Sequence, residues 1–130
     1  METQTLTSQF ATVSFDNSSI LRIKFAKMTI DIAEAKAIYE IAAKLSGNII
    51  HANLVDSRDL IFMTNEARKY FAMMDKSTVK AIAVLINSKV QESIANMYLK
   101  FSKPKIPTKM FTNENDAIAW MKSQLISFTQ

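Results

Sequence analysis

The side chains with catalytic potential lie close together in one short segment of the sequence. His51 is the only histidine, and Asp56 and Asp59 follow it at the end of an apolar run that predicts a strand. Ligands of α/β proteins bind beyond the carboxyl ends of strands, where two carboxylates can share acid–base work. The spacing therefore admits a small hydrolase built on His51, Asp56 and Asp59. The structural alternative is a histidine packed within the sheet, with aspartates that form turns or pair with Arg58.

A second group of residues indicates binding rather than catalysis. Thr64 stands where a helix is predicted to begin, so its hydroxyl should cap that helix, and an added phosphate would meet the positive end of the helix dipole. Phe62 and Met63 lie in the connection just before it, and such a loop either buries large apolar side chains or offers them to a partner. Arg68, one turn on, would add favourable charge. The candidates for binding a partner or ligand are Asp56, Arg58, Phe62, Met63 and Arg68, and Thr64 is the candidate for phosphorylation and switching.

Two residue counts argue against several familiar chemistries. The chain has no cysteine and one glycine. Disulfides, thiolate nucleophiles and zinc–sulfur sites need cysteine, whereas phosphate-binding loops and dinucleotide fingerprints need several glycines. With a single histidine, the remaining metal ligands are carboxylates, which suit magnesium or calcium. We expect no catalytic residue, no cofactor and no metal site.

The composition predicts one soluble domain over residues 1–130, with residues 1–8 flexible. Apolar residues make up 48% of the chain and charged residues 22%, as in ordinary globular proteins. No apolar run reaches the length of a membrane span, and residues 1–20 lack the pattern of a signal peptide. We therefore expect a cytoplasmic protein.

The net charge of +4 arises in the second half of the chain. Residues 66–130 contain ten basic and five acidic residues, against six and seven in residues 1–65. The lysine cluster formed by Lys100, Lys103, Lys105 and Lys109 would attract an acidic partner. Phe101 is the only aromatic residue among these lysines and no arginine accompanies them, so nucleic-acid binding is not expected.

Hydrophobic periodicity predicts strands and helices in the order β-β-α-β-α-β-α-β-α. Strands over residues 10–15 and 20–25 form a hairpin, because turn-forming residues separate them. Asp31 and Glu34 form a capping box for the first helix, and Gly47 ends it. Alternating units of this kind give an α/β fold with a mixed, mostly parallel sheet of about five strands and about four helices. The other predicted elements are strands over residues 49–54, 79–86 and 109–112, and helices beginning at Thr64, Ser88 and Asn113.

The strand over residues 79–86 and the helix after it are predicted to form much of the core. The strand is almost continuously apolar, as expected of a central strand of a parallel sheet. The helix carries an apolar stripe at regular helical spacing. The stripe consists of Val90, Ile94, Met97, Tyr98 and Phe101.

Four segments of the sequence carry a resemblance to a known fold. They are Leu-Val-Asp-Ser-Arg at 54–58, Asn-Glu-Ala-Arg-Lys-Tyr-Phe at 65–71, Ala-Asn-Met-Tyr-Leu-Lys-Phe-Ser-Lys-Pro at 95–104 and Phe-Thr-Asn-Glu-Asn-Asp-Ala-Ile-Ala-Trp at 111–120. With the element order, they resemble the STAS-type domains of anti-sigma-factor antagonists, which have the SpoIIAA-like fold. More narrowly, the chain is similar to small bacterial proteins described as STAS-like or CRAL-TRIO-like. The resemblance covers about residues 8–125.

The resemblance implies partner binding and a phosphorylation switch. In antagonists of this type, the phosphorylated serine or threonine begins the helix after the middle strand, within an Asp-Ser-Ser/Thr-Gly motif. Thr64 matches that place, whereas the aspartate–serine pair and the glycine of the motif are absent from residues 61–66. The implied function is a non-enzymatic regulatory or protein-interaction module.

Two other functions remain open from the sequence. Phe62, Met63, Met74 and Met97 could line a CRAL-TRIO-like pocket for a small apolar ligand or lipid, which calls for a cavity of roughly 300 Å³ or more. The small hydrolase is the weaker alternative. Exposed sheet edges, together with the prevalence of two-fold symmetry, predict a homodimer.

Overall fold

A computed structural model describes residues 4–16, 18–73, 78–88 and 105–129 of the chain. Within these ranges the strands are β1 (Gln4–Thr7), β2 (Ala11–Phe15), β3 (Ile20–Phe25), β4 (Thr29–Ile30), β5 (His51–Asp56), β6 (Phe62–Met63), β7 (Val79–Leu85) and β8 (Thr108–Phe111). Six of them form one sheet in the order β1–β2–β3–β5–β7–β8. The β1–β2 and β2–β3 pairs are antiparallel, and the pairs from β3 to β8 are parallel.

Helices cover both faces of this sheet. In the described residues they are α1 (Ile32–Ser46), α2 (Asn65–Met73) and α3 (Glu114–Thr129). α1 and α2 pack against each other and over β2 and β3, whereas α3 packs over β5, β7 and β8. Side chains of a strand alternate between the two faces of a sheet, so the strands under both sets of helices are buried from both directions.

β5 lies in the middle of the sheet and is buried on both faces. Ala52 and Leu54 pack with the α3 residue Met121 in one apolar cluster. His51 and Asn53 alternate with them, so their side chains face the α1 side, and both are buried. A strand between parallel neighbours is ordinarily apolar throughout, and His51 and Asn53 depart from that pattern.

A short second sheet holds the starts of α1 and α2 together. β4 pairs in parallel with β6, with Thr29 opposite Phe62 and Ile30 opposite Met63. The backbone N–H of Thr64 then donates to the carbonyl oxygen of Ile30 at 3.0 Å. Since β4 leads into α1 and β6 leads into α2, the two helix N-termini lie side by side.

The predicted boundaries of the first helix are confirmed. The N–H of Asp31 donates to the Glu34 carboxylate at 2.8 Å, and the N–H of Ile32 donates to Asp31 Oδ1 at 2.8 Å. Gly47 ends the helix with a φ of 54°. Ile38, on the predicted apolar face, is fully buried. Local capping chemistry therefore defines both ends of α1.

The sheet differs from the sequence prediction in three places. Gln4–Thr7, inside the segment expected to be flexible, pairs with β2 as an outermost strand, so the sheet has six strands instead of about five. The middle strand is His51–Asp56, not residues 49–54, because Ile49 and Ile50 are apolar yet 47% and 46% exposed. β4 and β6 were not predicted, since strands of two residues have no periodicity. Over the described residues the order is β-β-β-β-α-β-β-α-β-β-α instead of β-β-α-β-α-β-α-β-α.

The mixed, mostly parallel α/β architecture is confirmed, with three helices in the described residues instead of about four. The predicted helix from Ser88 to Phe101, with its apolar stripe, lies almost wholly outside the described residues, as do Met74, Lys100 and Lys103. No helix in the described part of the chain is long and apolar enough to cross a membrane.

Candidate functional site

The charged candidates lie at the carboxyl end of β5. Asp56 is the last residue of that strand, and the Arg58 guanidinium donates to both of its carboxylate oxygens, from Nε at 2.9 Å and from Nη2 at 2.7 Å. The backbone N–H of Arg58 donates to Asp56 Oδ1 as well, at 3.1 Å. Two parallel hydrogen bonds between a guanidinium and a carboxylate fix both groups geometrically as well as by charge. Arg58 therefore holds the turn that follows β5.

The same contacts keep Asp56 ionised. Burial alone would raise its pKa, but hydrogen bonds from the Arg58 side chain and backbone, with the charges of Arg58 and Lys24, lower the pKa of Asp56 below its ordinary value. The hydrogen bond and charge of Asp56 in turn raise the pKa of Arg58. A general base is most effective when its pKa lies near the working pH. The lowered pKa of Asp56 suits a structural ion pair better than proton transfer at neutral pH.

Further polar contacts tie this turn to neighbouring strands. The Asn87 amide, in the segment after β7, donates to the carbonyl oxygen of Arg58 at 3.0 Å. Lys24 Nζ lies 3.7 Å from Asp59 Oδ2, and both side chains are more than half exposed. Exposed ion pairs contribute about 0–1 kcal/mol, so the Asn87 and Asp56 contacts hold the turn more firmly than the Lys24 pair does.

His51 is separated from these aspartates. It begins β5 and Asp56 ends it, so the two lie roughly 16 Å apart along an extended strand. His51 is 2% exposed, its ring packs edge-on against Phe15 with centroids 5.6 Å apart, and its Nδ1 donates to the Ile49 carbonyl oxygen at 2.7 Å. The structure does not bring together the three side chains of the hydrolase hypothesis. In the described ranges, no three His, Asp or Glu side chains gather to hold a metal ion.

Thr64 caps α2 as predicted and also contacts the first helix. Its Oγ1 accepts a hydrogen bond from the Ala67 N–H at 3.2 Å and donates one to Asp31 Oδ1 at 2.8 Å. Hydrogen bonds from the Thr64 hydroxyl and the Ile32 N–H lower the pKa of Asp31. The Asp31 carboxylate therefore accepts hydrogen bonds at the N-termini of both α1 and α2. Sequence reasoning missed the role of Asp31 in this pair because 33 residues separate it from Thr64.

The apolar candidates before α2 are divided between the surface and the core. Ile61 and Phe62 are 63% and 48% exposed, whereas Met63 is half-buried and packs against the core under α1. The Arg68 guanidinium lies over the Phe62 ring, 5.2 Å from its centroid, which is cation–π geometry. The structure thus brings Phe62 and Arg68 together and adds Ile61, which the sequence did not single out. We call the exposed pair the Ile61–Phe62 segment.

A cavity of about 180 Å³ lies beside the C-terminal half of α1 and the starts of β5 and β7. Neither Phe62 nor Met63 lines it, and Met74 and Met97 lie outside the described residues. Its volume is also below the roughly 300 Å³ at which pockets for drug-sized ligands begin.

The strand order and the placement of the helices define the class of fold. An uncharacterised protein of the DUF3478 family from Shewanella loihica PV-4, solved with a SpoIIAA-like fold, matches with a TM-score of 0.61 over 92% of each chain at 13% identity. The chain therefore has a SpoIIAA-like fold, and the resemblance seen in the sequence is confirmed. A protein of unknown function from Arthrobacter sp. FB24 is 25% identical over 89% of this chain and 95% of that chain, with a TM-score of 0.35.

Within this fold class, the chain belongs to the family described as domain of unknown function (DUF7793), which matches residues 13–125. A comparison with curated proteins found no match. A fold shared at 13% identity does not carry an activity from one protein to another, so function has to be argued from the side chains.

Proposed function

We propose that this protein is a non-enzymatic regulatory module that binds another protein through the Ile61–Phe62 segment. The observation that carries the proposal is the exposure of these two adjacent apolar side chains, at 63% and 48%, in front of a helix. Single exposed apolar residues are common on protein surfaces, whereas contiguous apolar patches mark interaction sites. Ile32, 39% exposed at the start of α1, adds a third apolar side chain at the same end of the molecule.

The backbone under these side chains is held in place before any partner binds. The Ile61 N–H donates to the Met28 carbonyl oxygen at 3.1 Å, and the Thr64 N–H donates to that of Ile30 at 3.0 Å. Phe62 lies between these two hydrogen bonds, in the β4–β6 pair. A segment that is already ordered loses less conformational entropy on binding, which supports a presented contact surface rather than a loose loop.

The chemistry of the surface fits a protein partner. Phe62 supplies an aromatic anchor, and Arg68 supplies a cation stacked on its ring at 5.2 Å. Aromatic residues and arginine are enriched among the residues that dominate binding energy at protein interfaces. The partner should offer an apolar pocket for Phe62 and a carboxylate beside it for Arg68.

Thr64 is the proposed switch of this surface. Its hydroxyl now donates to Asp31 at 2.8 Å. A phosphate on that oxygen would remove the donated hydrogen bond and add about −1.5 to −2 charges beside the carboxylate. The resulting repulsion would separate the starts of α1 and α2, and with them the paired strands β4 and β6 that hold Phe62 in place.

The test compares Phe62→Ala with a matched control, Ile126→Ala, on the outer side of α3. Ile126 is 54% exposed, so its truncation removes similar exposed apolar area elsewhere on the molecule. Proteins captured by the tagged wild type are identified by quantitative mass spectrometry, and binding of the purified partner is then measured. We expect Phe62→Ala to cost about 2 kcal/mol, roughly thirtyfold in affinity, and Ile126→Ala to have no effect. Equal affinity of the Phe62→Ala and wild-type proteins would contradict the proposal.

A further inference from the structure

Two partly buried methionines lie at the small β4–β6 sheet. Met63 is the second residue of β6, and Met28 comes directly before β4. Both side chains are partly exposed and pack against the apolar cluster that contains Ile30 and Ile38. Successive side chains of a strand point to opposite sides, so Met63 faces the core whereas Phe62 faces solvent. Met63 therefore lies on the opposite side of the small sheet from the proposed contact surface.

The attachment of the Ile61–Phe62 segment depends on this packing. The carbonyl oxygen of Met28 accepts the Ile61 N–H at 3.1 Å, and Met63 is paired with Ile30, which is fully buried. In the described residues this sheet has two strands of two residues each. Two such short strands are not stable in water unless they pack against the rest of a protein. The apolar contacts of Met28 and Met63 with the core therefore help to keep the segment in place.

Oxidation of a methionine would remove this kind of support. A peroxide transfers one oxygen atom to the thioether sulfur: an S–O bond forms, the O–O bond breaks and the second oxygen leaves as water. The sulfur loses two electrons, and the resulting sulfoxide is polar. Keeping a polar group among apolar side chains is unfavourable, so an oxidised side chain would move out to solvent. The small sheet would then lose the packing that holds it.

Exposure and position distinguish these two methionines from others in the chain. Among the methionines whose side chains the structure describes, Met28, Met63 and Met110 are partly exposed and Met121 is fully buried. A peroxide can approach a partly exposed side chain more readily than an enclosed one. Met110 belongs to β8, at one edge of the main sheet, so its oxidation would leave the β4–β6 sheet intact.

We infer that Met28 and Met63 are sites of reversible oxidation by peroxide, and that their sulfoxides release the Ile61–Phe62 segment from the core. The consequence for binding rests on the proposed function, since a released segment no longer presents an ordered surface to the partner. Sulfoxide reductases restore methionine, so the change can be undone. Oxidation acts on the same surface as phosphorylation of Thr64, through packing instead of charge.

The first measurement is the oxidation of each methionine. The protein is treated with dilute hydrogen peroxide, and peptide mass spectrometry follows the sulfoxide at every site over time. Met28 and Met63 should be oxidised at least about tenfold faster than Met121, because Met121 is enclosed by the core. Oxidation of all three at the same rate would contradict the assignment of the sites.

The second measurement is hydrogen exchange of the backbone before and after oxidation. The N–H groups of Ile61 and Thr64 should exchange at least about fivefold faster in the oxidised protein. The Ile82 N–H, hydrogen-bonded within the main sheet, is the internal control and should not change, whereas global unfolding would accelerate it too. Treatment with a sulfoxide reductase and dithiothreitol should restore the original rates. Both measurements use the protein without a partner, so their failure is distinct from a failure of binding through Phe62.

The decisive variant is Met28→Leu/Met63→Leu, which keeps the apolar volume and cannot form a sulfoxide at either site. The other six methionines remain, and exchange at Ile61 and Thr64 should no longer respond to peroxide. Met110→Leu is the matched control and should respond like the wild type. If the double variant does not fold, Met63→Leu takes its place and should respond less than the wild type. An equal response of the leucine variant and the wild type, or unchanged exchange in the oxidised wild type, would overturn the inference.

Discussion

Asp31 accepts hydrogen bonds at the N-termini of two helices. Its Oδ1 accepts the N–H of Ile32, which begins α1, and the hydroxyl of Thr64, which caps α2, each at 2.8 Å. Both contacts lower the pKa of Asp31. The Asp31 carboxylate is already negatively charged, so it would repel a second negative charge at position 64, although a helix N-terminus alone would favour one. Position 64 should therefore be more sensitive to charge than to shape.

Thr64→Asp should destabilise the protein relative to Thr64→Asn. Both replacements are good N-caps, and Asn can also donate to Asp31, so Thr64→Asn should stay within about 0.5 kcal/mol of the wild type. The aspartate instead sets one carboxylate against another and donates nothing. Urea denaturation at neutral pH should give a lower midpoint for Thr64→Asp than for Thr64→Asn.

Two conditions should abolish that difference if charge is its cause. In an Asp31→Asn background, the two Thr64 variants should have the same midpoint, because the opposing carboxylate is gone. The contact between Asp31 and Thr64 stabilises the fold above the ordinary carboxyl pKa of 3.8 and is lost as pH falls through the lowered pKa of Asp31. The difference should thus shrink in acid. A gap that persists in the Asp31→Asn background would show that shape, not charge, governs position 64.

Residues that act through local chemistry could be predicted from the sequence, and those that act at long range could not. The capping role of Thr64 depends only on the helix that follows it, so its place in the sequence was sufficient to predict that role. Its bond to Asp31 depends on the β4–β6 pairing, which has no sequence signature. Asn53 was not singled out, because its burial without a partner depends on which helix covers that face of β5. The exposure of Ile61 had no signal either, since an apolar residue in a loop more often turns inward.

Elements bounded by capping chemistry were predicted more accurately than elements bounded by hydrophobicity. The first helix begins after Asp31 and ends at Gly47, as predicted, because both signals act on neighbouring backbone groups. The start of β5 was misplaced by two residues, because Ile49 and Ile50 look like strand core but are exposed. Side-chain type indicates whether a residue favours a strand, whereas backbone pairing with β3 and β7 decides where β5 starts.

Gly47→Ala should destabilise α1 through backbone strain alone. Gly47 has a φ of 54° and a ψ of −125°, a conformation that favours glycine, and a Cβ added there would meet nothing within 4 Å. The expected loss is therefore conformational and of about 1–3 kcal/mol. Lys36→Ala, at an exposed position of the same helix, is the control and should change stability by less than about 0.5 kcal/mol. Equal midpoints for the two variants in urea would contradict the assigned end of the helix.

On the scale of the whole molecule, α1 runs from one end of the sheet to the other. It starts at the Asp31–Thr64 contact and ends beside the cavity of about 180 Å³, and its 15 residues span roughly 22 Å. The two edges of the main sheet differ as well. β8 follows Pro107 and carries Lys109, and both residue types discourage pairing with another chain. β1 has no charged residue and all four of its side chains are exposed, so it is the edge open to pairing.

We predict a homodimer in which β1 pairs with β1 of a second copy across a two-fold axis, because this edge leaves backbone hydrogen-bonding groups unpaired and lacks any residue that blocks association. Leu6, 39% exposed in the middle of β1, should lie close to the axis. Leu6→Lys would bring like charges together across the paired strands and should convert the dimer to a monomer. Light scattering coupled to size-exclusion chromatography measures the mass directly. Ile126→Lys, on α3, places the same charge at another exposed site and should leave the dimer intact. A wild-type protein with the mass of one chain, or a dimer that survives Leu6→Lys, would rule out pairing through β1.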